Sequence, residues 1–114
     1  MANNTVVLYG VGDVGPILEP VEAVSTLARP TLAEADIRFG QVERVYSERG
    51  ALETQAGDGH SRVPPHMARV FDDCAFDVVS LASNHAMDFG ADALIDTLDL
   101  FKKKGIRTIG AGRN

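Results

Sequence analysis

The sequence is poor in several features that mark specialised classes of protein. It contains a single cysteine, Cys74, which has no second cysteine with which to form an internal disulfide. Cys74 falls within a helix-like pattern of apolar residues, and its sequence neighbourhood offers no group that favours the thiolate of a catalytic cysteine. We therefore predict that Cys74 is a buried structural thiol.

Basic residues are also scarce, since 11 lysines and arginines stand against 16 acidic residues and the net charge is -5. The basic cluster in the sequence is the short run of Lys102, Lys103 and Lys104 near the end of a predicted helix. Such a run does not provide the extended positive surface that follows a phosphate backbone. We therefore predict no nucleic-acid partner.

Long apolar runs are missing as well. No stretch approaches the roughly 18 consecutive apolar residues that read as a membrane-spanning helix. The first residues, Met-Ala-Asn-Asn followed by a short strand-like run, lack the charged region and the continuous apolar region of a secretion signal. As given, the sequence predicts no membrane segment and a cytoplasmic location.

What remains is the composition of an ordinary soluble domain. The 114 residues are 45% hydrophobic and 24% charged, which disfavours the disordered and fibrous classes. The length suits one domain with one core, and the sequence contains no internal repeat, low-complexity tract or convincing domain boundary. We therefore treat residues 1–114 as one unit.

Strand-like and helix-like patterns alternate along the chain. Apolar runs predict strands at 5–9, 37–43, 76–82 and 106–109, and helical spacing predicts helices around 21–28, after 64 and at 91–104. Residues 44–62 show no period and are interpreted as a long surface loop. This alternation predicts an α/β fold, a parallel-rich sheet with flanking helices, and it is unfinished at Asn114.

Apolar stripes define the two longer predicted helices. After the Pro64-Pro65 pair, Met67, Val70, Phe71 and Cys74 recur at spacings of three and four. In the later helix the corresponding stripe is Leu94, Ile95, Leu98 and Phe101, with Gly105 as the predicted stop. We expect both stripes to pack against the sheet.

Polar side chains follow three successive predicted strands. Asp13 comes after the first strand, Gln41 and Glu43 end the second, and Asn84 and His85 follow the third. Because the carboxyl ends of parallel strands share one edge of a sheet, these side chains are expected to converge. Carboxylate, amide and imidazole ligands suit a divalent ion such as manganese, iron or zinc, which would activate water for hydrolysis.

Each of these residues also has a plain structural interpretation. Asp13 fits a turn, Asn84 or Asp88 fits the N-cap of the following helix, and His85 fits a solvated loop. Their coincidence at three strand ends favours the functional interpretation.

Gly10-x-Gly12-x-x-Gly15 offers a different function, because glycines at this spacing after a strand form the phosphate-binding turn of dinucleotide sites. Pro20 argues against the helix that this motif requires. Nucleotide binding is therefore kept as an alternative prediction.

Four segments carry a family resemblance, namely 12–14, 35–43, 76–90 and 105–112. They resemble the N-terminal half of bacterial capsule-synthesis proteins of the CapA type, which include poly-γ-glutamate synthesis proteins and are similar to calcineurin-like metallophosphatases. The Ser83-Asn84-His85 block with the following Asp88 and Gly90 is the most specific part. The resemblance implies half of a metallophosphatase-like α/β sandwich, so 1–114 would be an incomplete domain.

The resemblance also implies roles for individual residues. Asp13 and Asn84 would be metal ligands, Glu43 would belong to the second acidic motif of the metal site, and His85 would act as an acid or stabilise the transition state. Asp88 would support the Asn-His turn. Gln41 stands where the family usually has an asparagine before Leu-Glu, so it is assigned a supporting role.

In the family, histidines from the later half complete the metal centre, and neither His60 nor His66 matches those positions, so both are predicted to be surface residues. The leading hypothesis is a metal-dependent hydrolase of phosphoester or amide bonds that needs a second chain or a missing C-terminal half. Its substrate would be a small molecule or an anionic polymer, and a cell-envelope location is compatible with the family. The alternative is a non-catalytic subunit or fragment that completes a partner's site.

Overall fold

A computed structural model describes residues 4–53 and 61–113, which contain six strands and four α-helices. The strands are β1 Leu8–Val14, β2 Ile37–Val42, β3 Val45–Tyr46, β4 Arg62–Val63, β5 Val78–Ser80 and β6 Arg107–Ile109. The helices are α1 Val21–Val24, α2 Arg29–Leu32, α3 Arg69–Asp73 and α4 Ala91–Lys103, with a 3-10 turn at Pro65–Ala68 before α3. No helix within these ranges combines the length and the apolar character needed to cross a bilayer.

The main sheet has four parallel strands in the order β1-β2-β5-β6. This confirms the predicted α/β fold with a parallel-rich sheet. Each parallel connection returns through helical segments, because parallel neighbours cannot be joined by a tight hairpin. As a result, all four strands end at the same edge.

The first strand differs from the prediction, which placed a strand at 5–9 and a loop at the glycines. β1 runs through Gly10 and Gly12 to Val14. It continues because Val11 packs close to Gly40, where a Cβ atom would lie 3.2 Å from Val11 Cγ2. Contact between neighbouring strands therefore overrides the low strand propensity of glycine. The prediction that the strand gives way to a tight loop at Gly10 is wrong.

This correction also bears on the nucleotide-binding alternative. A phosphate-binding turn needs glycines between a strand and the N-terminus of a helix. Gly10 and Gly12 lie inside β1, and the next helix, α1, begins only at Val21. The structural context that would support a nucleotide-binding loop is absent from this part of the described chain.

One face of the main sheet carries the core. Val42 and Val79 on that face share a buried cluster with Val21 of α1, Phe71 of α3 and Phe101 of α4. The rings of Phe71 and Phe101 meet edge to face with their centroids 4.8 Å apart. The opposite face is more open.

The open face is also apolar. Strand register places Leu8, Ile37, Phe39, Val78 and Ile109 on it. Leu8 and Ile109, on the two outer strands, are 59% and 51% exposed. Parallel sheets are usually covered on both faces, so this face has the chemistry of a surface that receives another layer.

The segment 44–62 was predicted to be a surface loop, and the structure corrects its ends. Val45 and Tyr46 form β3, which pairs in parallel with β4 in a separate two-stranded sheet. Both residues are buried, since Tyr46 packs edge to face on Phe71 and Phe101 and Val45 packs with Phe89 and Ala93. Sequence periodicity does not reveal these contacts. Residues 54–60, including His60, lie outside the described residues.

The predicted helices are present with changed bounds. The helix expected around 21–28 is shortened to α1, and α2 follows as a separate short helix with Pro30 in its first turn. The stripe of Met67, Val70, Phe71 and Cys74 is buried, and burial raises the pKa of the Cys74 thiol, in agreement with the predicted structural role.

Helix α4 also forms as predicted, but its most buried side chains are Ala93, Thr97 and Phe101. Thr97 tolerates burial because its hydroxyl donates to the Ala93 carbonyl and accepts from Tyr46 N–H at 3.0 Å. Gly105 has a φ of +73° and follows the end of α4, as predicted for a stop.

Asp96 of α4 anchors the segment that follows β3. Its carboxylate accepts from the Ser47 hydroxyl at 2.6 Å and from two nitrogens of Arg49 at 2.9 Å and 2.6 Å. The Arg49 guanidinium, together with Ser47, lowers the pKa of Asp96 to about 2. The ionised carboxylate therefore stabilises the folded state.

The substitution Asp96→Asn should lower the free energy of unfolding at pH 7 by about 1–2 kcal/mol, because it removes charged hydrogen bonds that are partly exposed. The folded pKa lies below the unfolded value of about 3.9, so the wild-type advantage should be complete above that pH and vanish as pH falls toward 2. Urea denaturation between pH 2 and pH 7 measures this. Asp99→Asn, which removes one exposed pair with Arg113, is the control, and a pH-independent advantage would contradict the assignment.

Candidate metal centre

The carboxyl ends of β1, β2 and β5 bring three polar side chains into one row. Asp13 is the register partner of Gln41, and Gln41 is the register partner of Ser80. Register partners in neighbouring parallel strands project to the same face of the sheet. The sequence therefore correctly predicted that Asp13 and Gln41 would come together at one edge.

A β-bulge makes this alignment possible. Gly10 pairs with Phe39, but the next pairing is Asp13 with Gln41, so β1 uses one residue more than β2 over this interval. Without the extra residue, Gly12 would stand opposite Gln41, and Asp13 would point to the other face. The bulge thus turns Asp13 toward the polar row.

Glu43 joins Asp13 at this edge. It directly follows β2. Because side chains alternate along a strand, it lies on the same face as Gln41, which is two residues before it. Burial raises the pKa of the Glu43 carboxyl, and the charge of Asp13 and a hydrogen bond with Asp13 raise it further. The positive charge of Arg44, and that of a protonated His85, lower the pKa of Glu43. Two carboxyl groups held this close favour the binding of a positive charge between them.

His85 is fixed by its neighbour Asp88. The ring atom Nδ1 lies 2.6 Å from Asp88 Oδ2, and the Asp88 side chain is only 10% exposed. An ionised carboxylate only accepts hydrogen bonds, so we assign the ring proton to Nδ1. This leaves Nε2 directed at the carboxylate edge, 3.5 Å from Glu43 Oε1 and 3.5 Å from the Asn84 amide nitrogen.

The turn after β5 is stabilised by hydrogen bonds between its own residues. His85 N–H donates to the Ser83 hydroxyl at 3.1 Å, and Ala86 N–H donates to the Ser83 carbonyl at 3.1 Å. The N-cap of α4 is Gly90, which makes no side-chain capping bond. The plain interpretation of Asn84 or Asp88 as the N-cap is therefore wrong. Asn84 is exposed at the edge, and Asp88 holds His85.

The Gln41 amide gives a direct test of whether this edge suits an additional group. Its Nε2 atom is buried and has no hydrogen-bond partner within the described residues. The two ends of an amide are assigned by their partners, so an oxygen is equally compatible with this position. With the oxygen in this position, the Gln41 amide would offer a lone pair to a positive group beside the two carboxyl groups.

The described residues do not assemble a full ligand set by themselves. Across 4–53 and 61–113, no group of three or more histidine, cysteine, aspartate or glutamate side chains is placed to hold a metal ion. His66 lies elsewhere, 62% exposed and paired with Glu19, as predicted for a surface residue. The donors available at the edge are the carboxylates of Asp13 and Glu43 and the amide of Asn84.

Sequence reasoning missed two glycines that allow close approach at this edge. A Cβ atom at Gly15 would lie 2.7 Å from Glu43 Cβ, and the Gly15 carbonyl accepts from Arg44 Nε at 3.2 Å. Gly110 has a φ of +82°, and a Cβ atom there would lie 2.7 Å from Ala82 Cβ, just before the His85 turn. The only sequence signal was a glycine immediately after each strand.

The comparisons with known proteins are consistent with this architecture. Residues 19–114 match the family model described as "Bacterial capsule synthesis protein PGA_cap". Within that range lie Gln41, Glu43, Asn84, His85 and Asp88, whereas Asp13 precedes it. A curated relative, "PGA biosynthesis protein CapA" of Bacillus subtilis (strain 168), is 27% identical over 91 residues, which are 80% of this chain.

The matched region covers 24% of the Bacillus protein, so this chain spans about a quarter of the length of that relative. The family match covers most of the chain, from 19 to 114. The chain therefore belongs to the bacterial capsule synthesis protein family, PGA_cap.

Proposed function

We propose that this chain contributes the strand-end half of a metal-dependent hydrolase centre that cleaves a phosphoester or amide bond. The observation that carries the proposal is the convergence of two carboxyl groups, Asp13 and Glu43, with the Nε2 atom of a histidine whose other nitrogen is held by Asp88. Acidic ligands beside an oriented histidine are the arrangement that metal-assisted hydrolysis uses.

The residues that would hold a divalent ion are Asp13, Glu43 and Asn84, with Gln41 supporting them. Carboxylate and amide oxygens suit manganese, iron or zinc when further ligands complete the set. When bound, such an ion would acidify a water molecule and stabilise negative charge that develops on the substrate. The Asp13 and Glu43 carboxyl groups already lie close together, so they would attract the positive charge of such an ion.

His85 would transfer a proton at Nε2. Asp88 keeps the ring proton on Nδ1 and sets the orientation of the ring, so Nε2 is the atom that exchanges a proton with the substrate. The His85 side chain is 30% exposed, which leaves it accessible from the sheet edge. In its doubly protonated form the ring would donate the Nε2 proton to the leaving group and keep the Nδ1 proton on Asp88.

The proposal also concerns the class of substrate and the polypeptide that would complete the site. A family of capsule synthesis proteins supports a small-molecule or anionic-polymer substrate. The resemblance to poly-γ-glutamate synthesis proteins makes that polymer one candidate. We also propose that additional polypeptide, either a continuation of the chain or a second chain, covers the open apolar sheet face around Leu8 and Phe39. The greater length of the Bacillus relative supports this view.

A second candidate function is a non-catalytic subunit that contributes these residues to a partner's site. The observation that favours it is the incomplete ligand set within the described ranges. Such a subunit would bind a metal ion at the sheet edge, but the isolated chain would not catalyse hydrolysis.

Binding of Mn²⁺ at the sheet edge should broaden the NMR signals of residues 13, 43, 84 and 85 most strongly, because paramagnetic relaxation falls steeply with distance. Signals of Asp77 and Arg107, at the opposite strand ends, should remain sharper. Asp13→Asn and Glu43→Gln should each weaken binding by at least about tenfold, because each removes a charged ligand. Asp72→Asn, which alters a pair with Lys104 away from the edge, is the control. Uniform broadening, or equal binding by all variants, would reject the site.

Hydrolysis should depend on His85. With Mn²⁺ and the polypeptide that completes the site present, His85→Gln should lower kcat/KM for a nitrophenyl phosphate or an anilide by about 100- to 10,000-fold, the range for loss of a general acid. Asp88→Asn should lower it by about 10- to 100-fold, because the ring loses its fixed orientation. The matched control is His66→Gln, whose exposed ring pairs with Glu19 and should leave activity unchanged. Equal activity of the His85 and His66 variants would contradict the proposed role.

A further inference from the structure

The turn that carries His85 is supported from outside the main sheet. Arg62 of β4 places its guanidinium carbon 4.2 Å from the centroid of the Phe89 ring. The same guanidinium donates from Nη1 to the carbonyls of Arg49 and Gly50, at 3.0 Å and 2.8 Å. Arg62 therefore ties the segment 49–53 to the ring that directly follows Asp88.

The contact between this segment and the turn is tight at the backbone. Glu53 N–H donates to the Asp88 carbonyl at 2.7 Å. Gly50 has a φ of +81°, and a Cβ atom at this position would lie 2.0 Å from the Phe89 carbonyl oxygen. Only glycine allows this approach and this φ together. The position of Asp88 is thus set by main-chain contacts from 49–53.

Phe89 and Arg49 are also held in place by residues of β3 and α4. Phe89 is buried, with 5% of its surface exposed, and packs with Val45 of β3 and Ala93 of α4. Arg49 is held by the Asp96 carboxylate of α4. The segment 49–53 is therefore held by Asp96 of α4 on one side and by Arg62 of β4 on the other. In this position it contacts Phe89 and Asp88.

We propose that Arg62 is a positioning residue for the His85–Asp88 pair. It holds the segment 49–53 against Phe89 and Asp88, so that the Asp88 carboxylate stays on His85 Nδ1 and Nε2 stays directed at Glu43. The inference rests on the proposed role of His85, but the arrangement that it describes exists without metal or substrate. Arg62 acts through Phe89 and the backbone and is not a catalytic residue.

The test is the tautomer of the His85 ring in the metal-free protein, read from its ¹⁵N chemical shifts at a pH where the ring is neutral. In the wild type, the proton should reside on Nδ1. Arg62→Met keeps the apolar stem but loses the cation and its donors, and should give a mixture of the two tautomers. It should also raise the hydrogen-exchange rate of Glu53 N–H by about tenfold, since that bond closes the support.

Two variants separate positioning from general destabilisation. Arg62→Lys retains a cation near the Phe89 ring and should largely restore the wild-type tautomer. Arg69→Met removes a more exposed arginine of α3, which pairs with Glu22 of α1 and Asp73 of α3, and should leave the His85 signals unchanged. If Arg62→Met does not fold, Phe89→Leu replaces it and should shift the same signals.

Wild-type ¹⁵N shifts and wild-type exchange in the folded Arg62→Met protein would overturn the inference. An equal change in Arg69→Met would also overturn it, because the effect would then follow stability alone. Failure of the hydrolase proposal would appear separately, as absence of Mn²⁺ binding with the tautomer and its dependence on Arg62 intact. The two proposals are therefore distinguishable.

Discussion

Register between three parallel strands determines the candidate site. β2 lies between β1 and β5, and its pairings place Gln41 opposite both Asp13 and Ser80. Since side chains alternate along a strand, a slip of one residue would turn Gln41 to the core face. The bulge before Asp13 belongs to the same constraint, because it supplies the one-residue offset that brings this carboxyl to the open face.

Much of this arrangement could be predicted from the sequence. The four main strands and their common edge follow from apolar runs that alternate with helical stripes, and the polar residues stand just beyond those runs. Asp13, Gln41 and Glu43 come to one edge because a parallel topology brings the ends of its strands together. The pKa of Glu43 reflects the nearness of both Asp13 and His85. The family match over 19–114 supports the same interpretation of the later segments.

The rest depends on contacts between distant residues, which periodicity does not encode. Glycines at 10 and 12 indicated a loop, but packing of Val11 beside Gly40 keeps them in β1. Tyr46 lies in an aperiodic segment, and its burial depends on the rings of Phe71 and Phe101. The support of Asp88 by 49–53 likewise needs Arg62, far along the chain, to reach the Phe89 ring.

The central claim is that the edge between Asp13 and Glu43 binds a divalent ion. Anomalous diffraction from crystals grown with Mn²⁺, collected with the chain and any polypeptide that covers its open face, locates such an ion directly. The account predicts an anomalous peak within coordination distance of the Asp13 and Glu43 carboxylates, with the Asn84 amide beside it. An empty edge at saturating Mn²⁺, or a peak only at other acidic residues, would contradict it.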